Sequence, residues 1–156
     1  MEIKNYMKQK VISIRSDDQI VKAAELIIKN KIGTLPVVDG ENRLIGIVKL
    51  QDILSLIMPD FITMMETFDF IHSFGIYETR TPNVDDLAKN IITIMTPPIA
   101  VKEDSGLLYS AAILHKNNCT DLPIINEEGI LIGIASHVDI GAALIKRWKD
   151  KEIINR

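Results

Sequence analysis

Short apolar runs joined by polar turns occur twice along this chain, and both times they follow a stretch of helical periodicity. Residues 35–38 and 44–48 are apolar and rich in β-branched side chains, as are residues 122–125 and 130–135. A few polar residues separate the runs of each pair, which is a pattern that predicts a β-hairpin. The hydrophobic pattern therefore predicts two similar β-containing units.

The two units are copies of one repeat. The run Leu35-Pro36-Val37-Val38-Asp39 returns as Leu122-Pro123-Ile124-Ile125-Asn126, at an offset of 87 residues. An ungapped alignment of 11–54 with 98–141 keeps that offset and contains 14 identities in 44 positions. Self-similarity at one fixed offset indicates an internal duplication.

A helix is predicted before the hairpin of each repeat. It begins near Asp17 in the first repeat, where residues 16–19 form a capping-box-like start, and near Asp104 in the second. It is expected to end near Asn30 and Asn117, because Asn tolerates the left-handed conformation that terminates many helices.

Apolar side chains at helical spacing give each of these helices one face to bury. The residues are Ile20, Ala23, Ala24, Ile27 and Ile28 in the first helix and Leu107, Leu108, Ala111, Ala112 and Leu114 in the second. A further helix begins near Gln51 and near Val138, after the hairpins. With strand-like runs at 11–14 and 99–101, each repeat is β-α-β-β-α, an α/β (α+β) unit. The helices cover one face of its sheet, so the two repeats are expected to bury their other faces against each other.

Residues 55–87 have no counterpart in the repeat and form a predicted helical connector. After Pro59, which is tolerated in a first helical turn, apolar side chains follow at a spacing of three and four residues and predict an amphipathic helix. These side chains are Phe61, Met64, Met65, Phe68 and Ile71. We expect them to contact the core or a second copy of the chain rather than form a partner-binding helix. If they stay exposed in the dimer, they are the candidate contact for an effector protein.

A loop at 79–83 and a short helix around 84–95 lead from the connector into the second repeat. The resulting division is 1–54 for the first repeat, 55–87 for the connector, and 88–156 for the second repeat with its C-terminal helix.

Composition excludes several classes of protein. The chain has 156 residues, 47% of them hydrophobic and 25% charged, which suits one compact domain or two packed halves and argues against disorder. A net charge of −3 offers no basic surface for nucleic acid. The N-terminus lacks the features of a signal peptide, and no apolar stretch is long enough for membrane insertion. The single cysteine, Cys119, aligns with Ile32, so we expect a core residue in a reducing, cytoplasmic protein.

Nothing in the sequence indicates an enzyme. His72, His115 and His137 have no metal-ligand spacing with one another or with Cys119. The sequence contains no phosphate-binding loop of the Walker type, no nucleophile elbow and no His-Glu-x-x-His helix. We therefore expect no catalytic residues, no metal and no required cofactor.

The repeat resembles the CBS domain, the cystathionine-β-synthase-type module that occurs in tandem as a Bateman module. The likeness rests on the two Leu-Pro runs and on the stretches Gly46-Ile-Val-Lys-Leu-Gln-Asp52 and Gly133-Ile-Ala-Ser-His-Val-Asp139. The family pattern there is Gly, two apolar residues, Thr or Ser, two variable residues and Asp. The resemblance implies two repeats packed with pseudo-twofold symmetry around two clefts. It also implies disc-like homodimers and adenosine-containing ligands.

The second repeat carries the better candidate site. Asp139 lies in the first turn of a predicted helix, three residues after Ser136, where free N–H groups suit a phosphate. A carboxylate accepts hydrogen bonds from the two ribose hydroxyls, so we place the ribose on Asp139 and the phosphate near Ser136. His137 lies beside that phosphate and adds charge at mildly acidic pH. The alternative is that Asp139 is an ordinary helix-start carboxylate.

The resemblance also implies where the base lies. It places the adenine between apolar walls such as Ile99 and Ile134. The backbone that reads the edge of the base then belongs to Thr120, Asp121, Leu122 and Pro123.

The first repeat offers a second candidate nucleotide site, built from Ile12, Thr34, Leu35, Pro36, Lys49 and Asp52. Lys49 occupies the position of the expected Thr or Ser. It either contacts a longer polyphosphate as a point charge or is solvated, and we favour the solvated state.

The predicted function is a regulatory module that binds an adenine nucleotide, AMP or ATP first among them, in energy sensing. Its homodimer changes the relative orientation of its units when the ligand binds, and it signals to an effector protein. The alternative is a structural or protein-interaction module with empty clefts. The sequence does not choose among AMP, ADP, ATP, S-adenosylmethionine, NAD and a cyclic dinucleotide, since all carry adenosine.

Overall fold

The computed structural model describes residues 1–67 and 71–151 and confirms the predicted α/β fold with two β-α-β-β-α repeats. The first repeat contains β1 (Ile14–Arg15), α1 (Ile20–Asn30), β2 (Thr34–Val38), β3 (Leu44–Lys49) and α2 (Leu50–Leu54). A short helix α3 (Val84–Leu87) precedes the second repeat. That repeat contains β4 (Val101–Lys102), α4 (Leu107–Lys116), β5 (Asp121–Ile125), β6 (Leu131–Ser136) and α5 (His137–Asp150).

Each repeat forms a three-stranded sheet with the same topology. The strand orders are β1-β2-β3 and β4-β5-β6, with the first pair parallel and the hairpin pair antiparallel. Leu35 pairs with Val48 and Leu122 pairs with Ala135, again 87 residues apart. The Leu-Pro runs therefore form the central strands, and both leucines are fully buried in the cores.

The segment that precedes each repeat packs on the other repeat. A 3-10 helix at Ile3–Asn5 joins the second repeat, since Ile3 N donates to the carbonyl oxygen of Ser105 at 2.8 Å. The matching 3-10 helix at Ile91–Thr93 joins the first repeat, where Ile91 N donates to Asp18 O at 2.9 Å. Ile3 and Ile91 are fully buried in the core of the repeat that each helix contacts. This exchange holds the two repeats together about a pseudo-twofold axis.

The exchange explains the glycine that both repeats carry in the last hairpin strand. A Cβ atom at Gly46 would lie 2.6 Å from the sulfur of Met95, and one at Gly133 would collide with the side chain of Met7. Met7 and Met95 belong to the exchanged segments. Glycine at both positions thus permits the close approach of the crossing segment, and a larger residue would force the methionine side chain to move.

The predicted helix starts are wrong by about three residues, whereas the predicted ends near Asn30 and Asn117 are confirmed. Helix α1 begins at Ile20 rather than near Asp17, and its cap residue Gln19 makes no side-chain cap hydrogen bond, so the capping box at 16–19 is absent. Arg15 N instead donates to a carboxylate oxygen of Asp18 at 3.0 Å, in a turn that ends before the helix. Helix α4 likewise begins at Leu107 rather than near Asp104.

The left-handed residues are Lys31 and Asn118, one position after the predicted Asn30 and Asn117. The two predicted asparagines close their helices differently, by donating from the side-chain amide to the carbonyl oxygen four residues earlier at 2.9 and 2.8 Å.

Three positions of the predicted buried helix faces are exposed, namely Ile28, Leu108 and Ala112. Ile28 is 67% exposed and Leu108 is 74% exposed, because each lies on the side of its helix that faces away from the sheet. Leu114, in contrast, is buried in the core of the second repeat.

The predicted amphipathic helix of the connector is also wrong. The connector contains 3-10 helices at Asp60–Met64 and Gly75–Thr79, and Phe68 lies outside the described residues. Gly75 has a left-handed backbone conformation. A helix that continued past Phe74 would need a right-handed conformation there, so it cannot pass this residue. Phe61 packs on Tyr77 and Phe74, with ring centroids 5.3 and 6.3 Å apart. The spacing of three and four residues therefore reflects a local aromatic cluster.

The predicted helix around 84–95 is divided in two. Asn83 caps α3, and Asn90 caps the 3-10 helix at Ile91–Thr93 by accepting from Ile92 N at 2.8 Å. Among the residues described, no helix is long and apolar enough to cross a membrane.

Candidate functional site

The start of helix α5 holds the carboxylate that the sequence predicted as a ligand contact. Ser136 caps the helix, and its hydroxyl oxygen accepts from Asp139 N at 3.1 Å. In return, Asp139 Oδ2 accepts from Ser136 N at 3.0 Å and from the Ser136 hydroxyl at 2.8 Å. The Ser-x-x-Asp spacing thus forms a reciprocal cap that fixes the carboxylate at the end of β6.

The exchanged N-terminal segment brings a cation to this carboxylate. Lys8 forms two backbone hydrogen bonds with Ile134, at 2.8 and 3.0 Å, next to the end of β6. Its ammonium lies 3.3 Å from Asp139 Oδ2. The pairing therefore joins residues 131 positions apart, which no local sequence pattern indicates.

These contacts set the ionisation of Asp139. Partial burial raises the pKa of the carboxyl, but the hydrogen bonds from Ser136 and the ammonium of Lys8 outweigh burial and hold that pKa below its usual value. The carboxylate is charged at neutral pH. Its Oδ1 oxygen accepts no hydrogen bond within the described part of the chain, so it is free to accept one from a ligand.

A cavity of about 380 Å³ opens beside this carboxylate, between the two repeats. Lys8, Lys10 and Ile12 line it from the N-terminal segment, residues 30–34 line it from the turn between α1 and β2, and Asp121 and Ile134 line it from the second repeat. We call this cavity the Lys8 cleft. Ser136 is two residues beyond Ile134 in β6, so both side chains project from the same face of the sheet.

The cleft combines residues that the sequence had assigned to separate sites. Ile12 and Thr34, predicted for a site in the first repeat, line the same cavity as Asp121 and Ile134, predicted for the second. Thr34 Oγ1 donates to Asp121 Oδ2 at 3.2 Å, so the first residues of β2 and β5 meet at the pseudo-twofold axis. Packing across that axis places the lining residues of the first repeat opposite the second repeat, whose helix α5 begins at the end of β6.

Other predicted residues lie elsewhere. Leu35, Leu122, Pro36 and Pro123 are buried within the central strands. Ile99 packs against the core of the second repeat.

His137 faces away from the Lys8 cleft. Its backbone N donates to Thr120 O at 2.7 Å, and its ring Nδ1 lies 3.2 Å from the same oxygen. With Thr120 it lines a different cavity of about 290 Å³, together with Cys119 and His115. The ring is therefore separated from the position predicted for the phosphate. No set of three His, Cys, Asp or Glu side chains in 1–67 and 71–151 is arranged to hold a metal ion.

The equivalent positions around Lys49 differ in chemistry. Lys49 N donates to Asp52 Oδ2 at 2.7 Å, but no hydroxyl completes the cap. Ile47, the counterpart of Ile134, is only 1% exposed. Protein atoms therefore cover Ile47, whereas Ile134 borders the open Lys8 cleft. We call the residues Ile47, Lys49, Asp52, Thr96 and Asn118 the Lys49 side.

Sequence reasoning missed the three lysines of the Lys8 cleft. Lys8 pairs with Ile134 as Thr96 pairs with Ile47, so Thr96 is the counterpart of Lys8 and proline follows it where Lys10 follows Lys8. Asn118 is the counterpart of Lys31 at the offset of 87 residues. A comparison of charge between the two copies would have shown this asymmetry. Nothing in the sequence shows that the three side chains meet, because they converge only after the exchange of the N-terminal segments.

Comparisons with known proteins match both repeats to a family. The family model of the CBS domain matches residues 3–59 and 88–146. Uncharacterized protein MJ1426 of Methanocaldococcus jannaschii is 30% identical over 156 residues, covering 93% of this chain and 92% of that protein.

Two solved structures share the fold. The crystal structure of CBSX2, a CBS domain-containing protein of Arabidopsis thaliana, in complex with AMP has a TM-score of 0.70 at 23% identity. It covers 94% of this chain and 97% of that one. The CBS domain pair of protein MJ0100, in complex with 5′-methylthioadenosine and S-adenosyl-L-methionine, has a TM-score of 0.68 at 23% identity. It covers 94% of this chain and 98% of that one.

Proposed function

The chain belongs to the CBS domain family, and on that premise we propose that it is a non-catalytic regulatory module that binds an adenosine-containing ligand in the Lys8 cleft. The observation that carries the proposal is that this cleft draws its walls from both repeats, and that Lys8, which lines it, pairs with the charged, capped Asp139. A ligand that contacts both walls stabilises one relative orientation of the repeats, which is the physical basis of a regulatory response.

Each part of an adenosine ligand has a complementary group at the cleft. Asp139 Oδ1 is free to accept a hydrogen bond from a ribose hydroxyl. Ile12 and Ile134 are half-buried apolar walls for the adenine. The N-terminus of α5, a helix of 14 residues, and the lysines of the cleft favour phosphate.

The ligands of structural relatives support an adenosine ligand and leave its identity open. CBSX2 was crystallised with AMP, and the MJ0100 domain pair with methylthioadenosine and S-adenosylmethionine. Adenosine is the part that these molecules share. An energy-sensing role follows for this chain if AMP, ADP or ATP proves to be its ligand.

The proposed output is a change in a homodimer that an effector protein recognises. Exposed apolar side chains on α4 and α5 form a face that a second copy can cover: Leu108, Val138, Ile145 and Trp148. Met64 is 83% exposed on the connector, which remains the proposed effector contact. The division into 1–54, 55–87 and 88–156 and a cytoplasmic location stay predictions.

A second candidate function is an interaction module with no nucleotide. The filled Lys49 side favours it for one half of the molecule, because Ile47 is covered and no hydroxyl caps α2. The open Lys8 cleft favours ligand binding for the other half.

A thermal-shift panel with AMP, ADP, ATP, S-adenosylmethionine, NAD and a cyclic dinucleotide tests the proposal. A ligand at 100 times its Kd stabilises the fold by about 2.7 kcal/mol, which raises Tm by roughly 5–10 °C for a chain of this size. We expect a shift with at least one ligand, and its loss in Asp139→Ala.

The matched control is Asp18→Ala. Asp18 is also held by a backbone N–H, from Arg15, and by a lysine, Lys22 at 3.0 Å, but Lys22 does not line the cleft, whereas Lys8, the partner of Asp139, does. A ligand shift that survives in Asp139→Ala would contradict the proposed site. A flat panel, repeated by calorimetry at millimolar ligand, would favour the interaction module.

A further inference from the structure

We propose that the Lys8 cleft selects adenosine ligands with a 5′ chain of at least two phosphates, and that each chain binds one such molecule. This inference rests on the proposed function, because it specifies the ligand class of the same site. It distinguishes ADP and ATP from AMP, adenosine, methylthioadenosine and S-adenosylmethionine.

The first observation is the number of cations that face the cavity. Lys8, Lys10 and Lys31 all line it. Lys8 is partly neutralised by Asp139 at 3.3 Å. Within residues 1–67 and 71–151, no carboxylate lies within ion-pair distance of Lys10 or Lys31. Two lysines without an ion-pair partner in that part of the chain, Lys10 and Lys31, therefore border the cavity.

The three lysines belong to two different segments of the chain, and the fold brings both segments to the same cavity. Lys8 and Lys10 come from the exchanged N-terminal segment, and Lys31 from the end of α1. The backbone of Lys8 is fixed by its hydrogen bonds to Ile134, and that of Lys31 by donation of its N–H to Ile27 O at 2.9 Å. Because both anchor points are held in place, the charges converge without folding of a new loop.

Asp121 opposes these charges but does not cancel them. Its Oδ2 accepts hydrogen bonds from Thr34 Oγ1 at 3.2 Å and from Thr120 Oγ1 at 2.8 Å, so part of its charge is already compensated. The three lysines outnumber the one carboxylate among the residues that line the cavity. A ligand with a phosphate chain gains from this excess, whereas methylthioadenosine has no charge to pair and S-adenosylmethionine adds a sulfonium cation.

The second observation is that the other repeat lacks the same set. Thr96, the two prolines at 97–98 and Asn118 stand where the three lysines do, and the cation that the Lys49 side has is Lys49 itself. Ile47 is covered by protein, which removes the apolar wall that a base would need. The duplication has therefore left one phosphate-binding cleft per chain.

Isothermal titration calorimetry in magnesium-free buffer tests this inference with adenosine, AMP, ADP, ATP and methylthioadenosine as titrants. We expect ADP and ATP to bind at one molecule per chain, more tightly than AMP and much more tightly than adenosine. The double variant Lys10→Met/Lys31→Met should weaken ATP binding by about tenfold per lysine, as expected for charge-assisted hydrogen bonds. Its affinity for adenosine should be unchanged.

Lys29→Met is the control, because it removes the same charge two residues from Lys31 on an exposed position outside the cavity. All three lysines are exposed, so the variants are expected to fold, which far-UV circular dichroism checks. Equal affinity for adenosine and ATP, with no effect of the double variant, would overturn this inference and leave the proposed function standing. A stoichiometry of two would also overturn it. Absence of binding by every titrant would overturn the proposed function itself.

Discussion

The two repeats have the same framework but different surfaces at their equivalent clefts. Leu35 and Leu122 are both fully buried, and the strands around them pair in the same register. At the clefts, by contrast, Ser136 caps α5 with its hydroxyl where Lys49 leaves α2 without one. The framework depends on apolar volume, whereas the site depends on a few polar side chains that the core does not constrain.

This contrast shows how a duplicated fold can hold one binding site. The Lys8 cleft takes its walls from both repeats, so a change in the N-terminal segment alters a site whose other walls belong to the two repeats. Replacing Lys8 by the equivalent Thr96, for example, removes a cation without touching either core. The two clefts can therefore diverge while the fold stays the same.

The largest expected effect tests what the repeats share. Leu35→Ala and Leu122→Ala each delete a fully buried side chain and should each lower the free energy of unfolding by about 2–5 kcal/mol. Urea denaturation followed by circular dichroism measures both. A loss for one variant only, with the other near wild type, would break the equivalence of the two cores.

The next effect tests where the repeats differ. Ser136→Ala removes the acceptor of Asp139 N and should cost about 1 kcal/mol of stability, as for other helix caps. Lys49→Ala at the equivalent position removes no such acceptor and should change stability by less than about 0.5 kcal/mol. Equal losses in the same denaturation assay would contradict the asymmetry of the caps.

The smallest effect concerns pH. The pKa of Asp139 is lowered in the folded chain, so its ionisation contributes stability that is present above the unfolded pKa of about 3.9 and lost as the pH falls through the folded pKa. The stability difference between wild type and Asp139→Asn should therefore shrink below about pH 4. Because the carboxylate is partly exposed, we expect a change of less than about 1 kcal/mol. A difference that stays constant from pH 7 to pH 3 would show that the charge of Asp139 adds nothing.

The sequence predicted the parts of the molecule that depend on local pattern and on repetition. The hairpins followed from their paired apolar runs with a polar turn between them, and the duplication followed from its fixed offset. Asp139 and Ser136 stood out because they lie three residues apart at a predicted helix start, although the sequence assigned them to ribose and phosphate and not to the cap that they form.

The parts that depend on tertiary packing were not predictable in this way. Lys8 meets Asp139 only because the N-terminal segment crosses to the second repeat. The connector shows the opposite error, since the spacing of Phe61 and its neighbours resembled a helix but serves an aromatic cluster with Tyr77. Periodicity alone cannot separate a helix face from a local cluster when the polar positions between are sparse.

The most direct test of the account is a crystal structure of the chain grown with ATP. We expect one ATP per chain, with its ribose on Asp139, its base between Ile12 and Ile134, and its phosphates against Lys10 and Lys31. Electron density for ATP on the Lys49 side, or at a place that touches only one repeat, would contradict the claim that the Lys8 cleft is the ligand site.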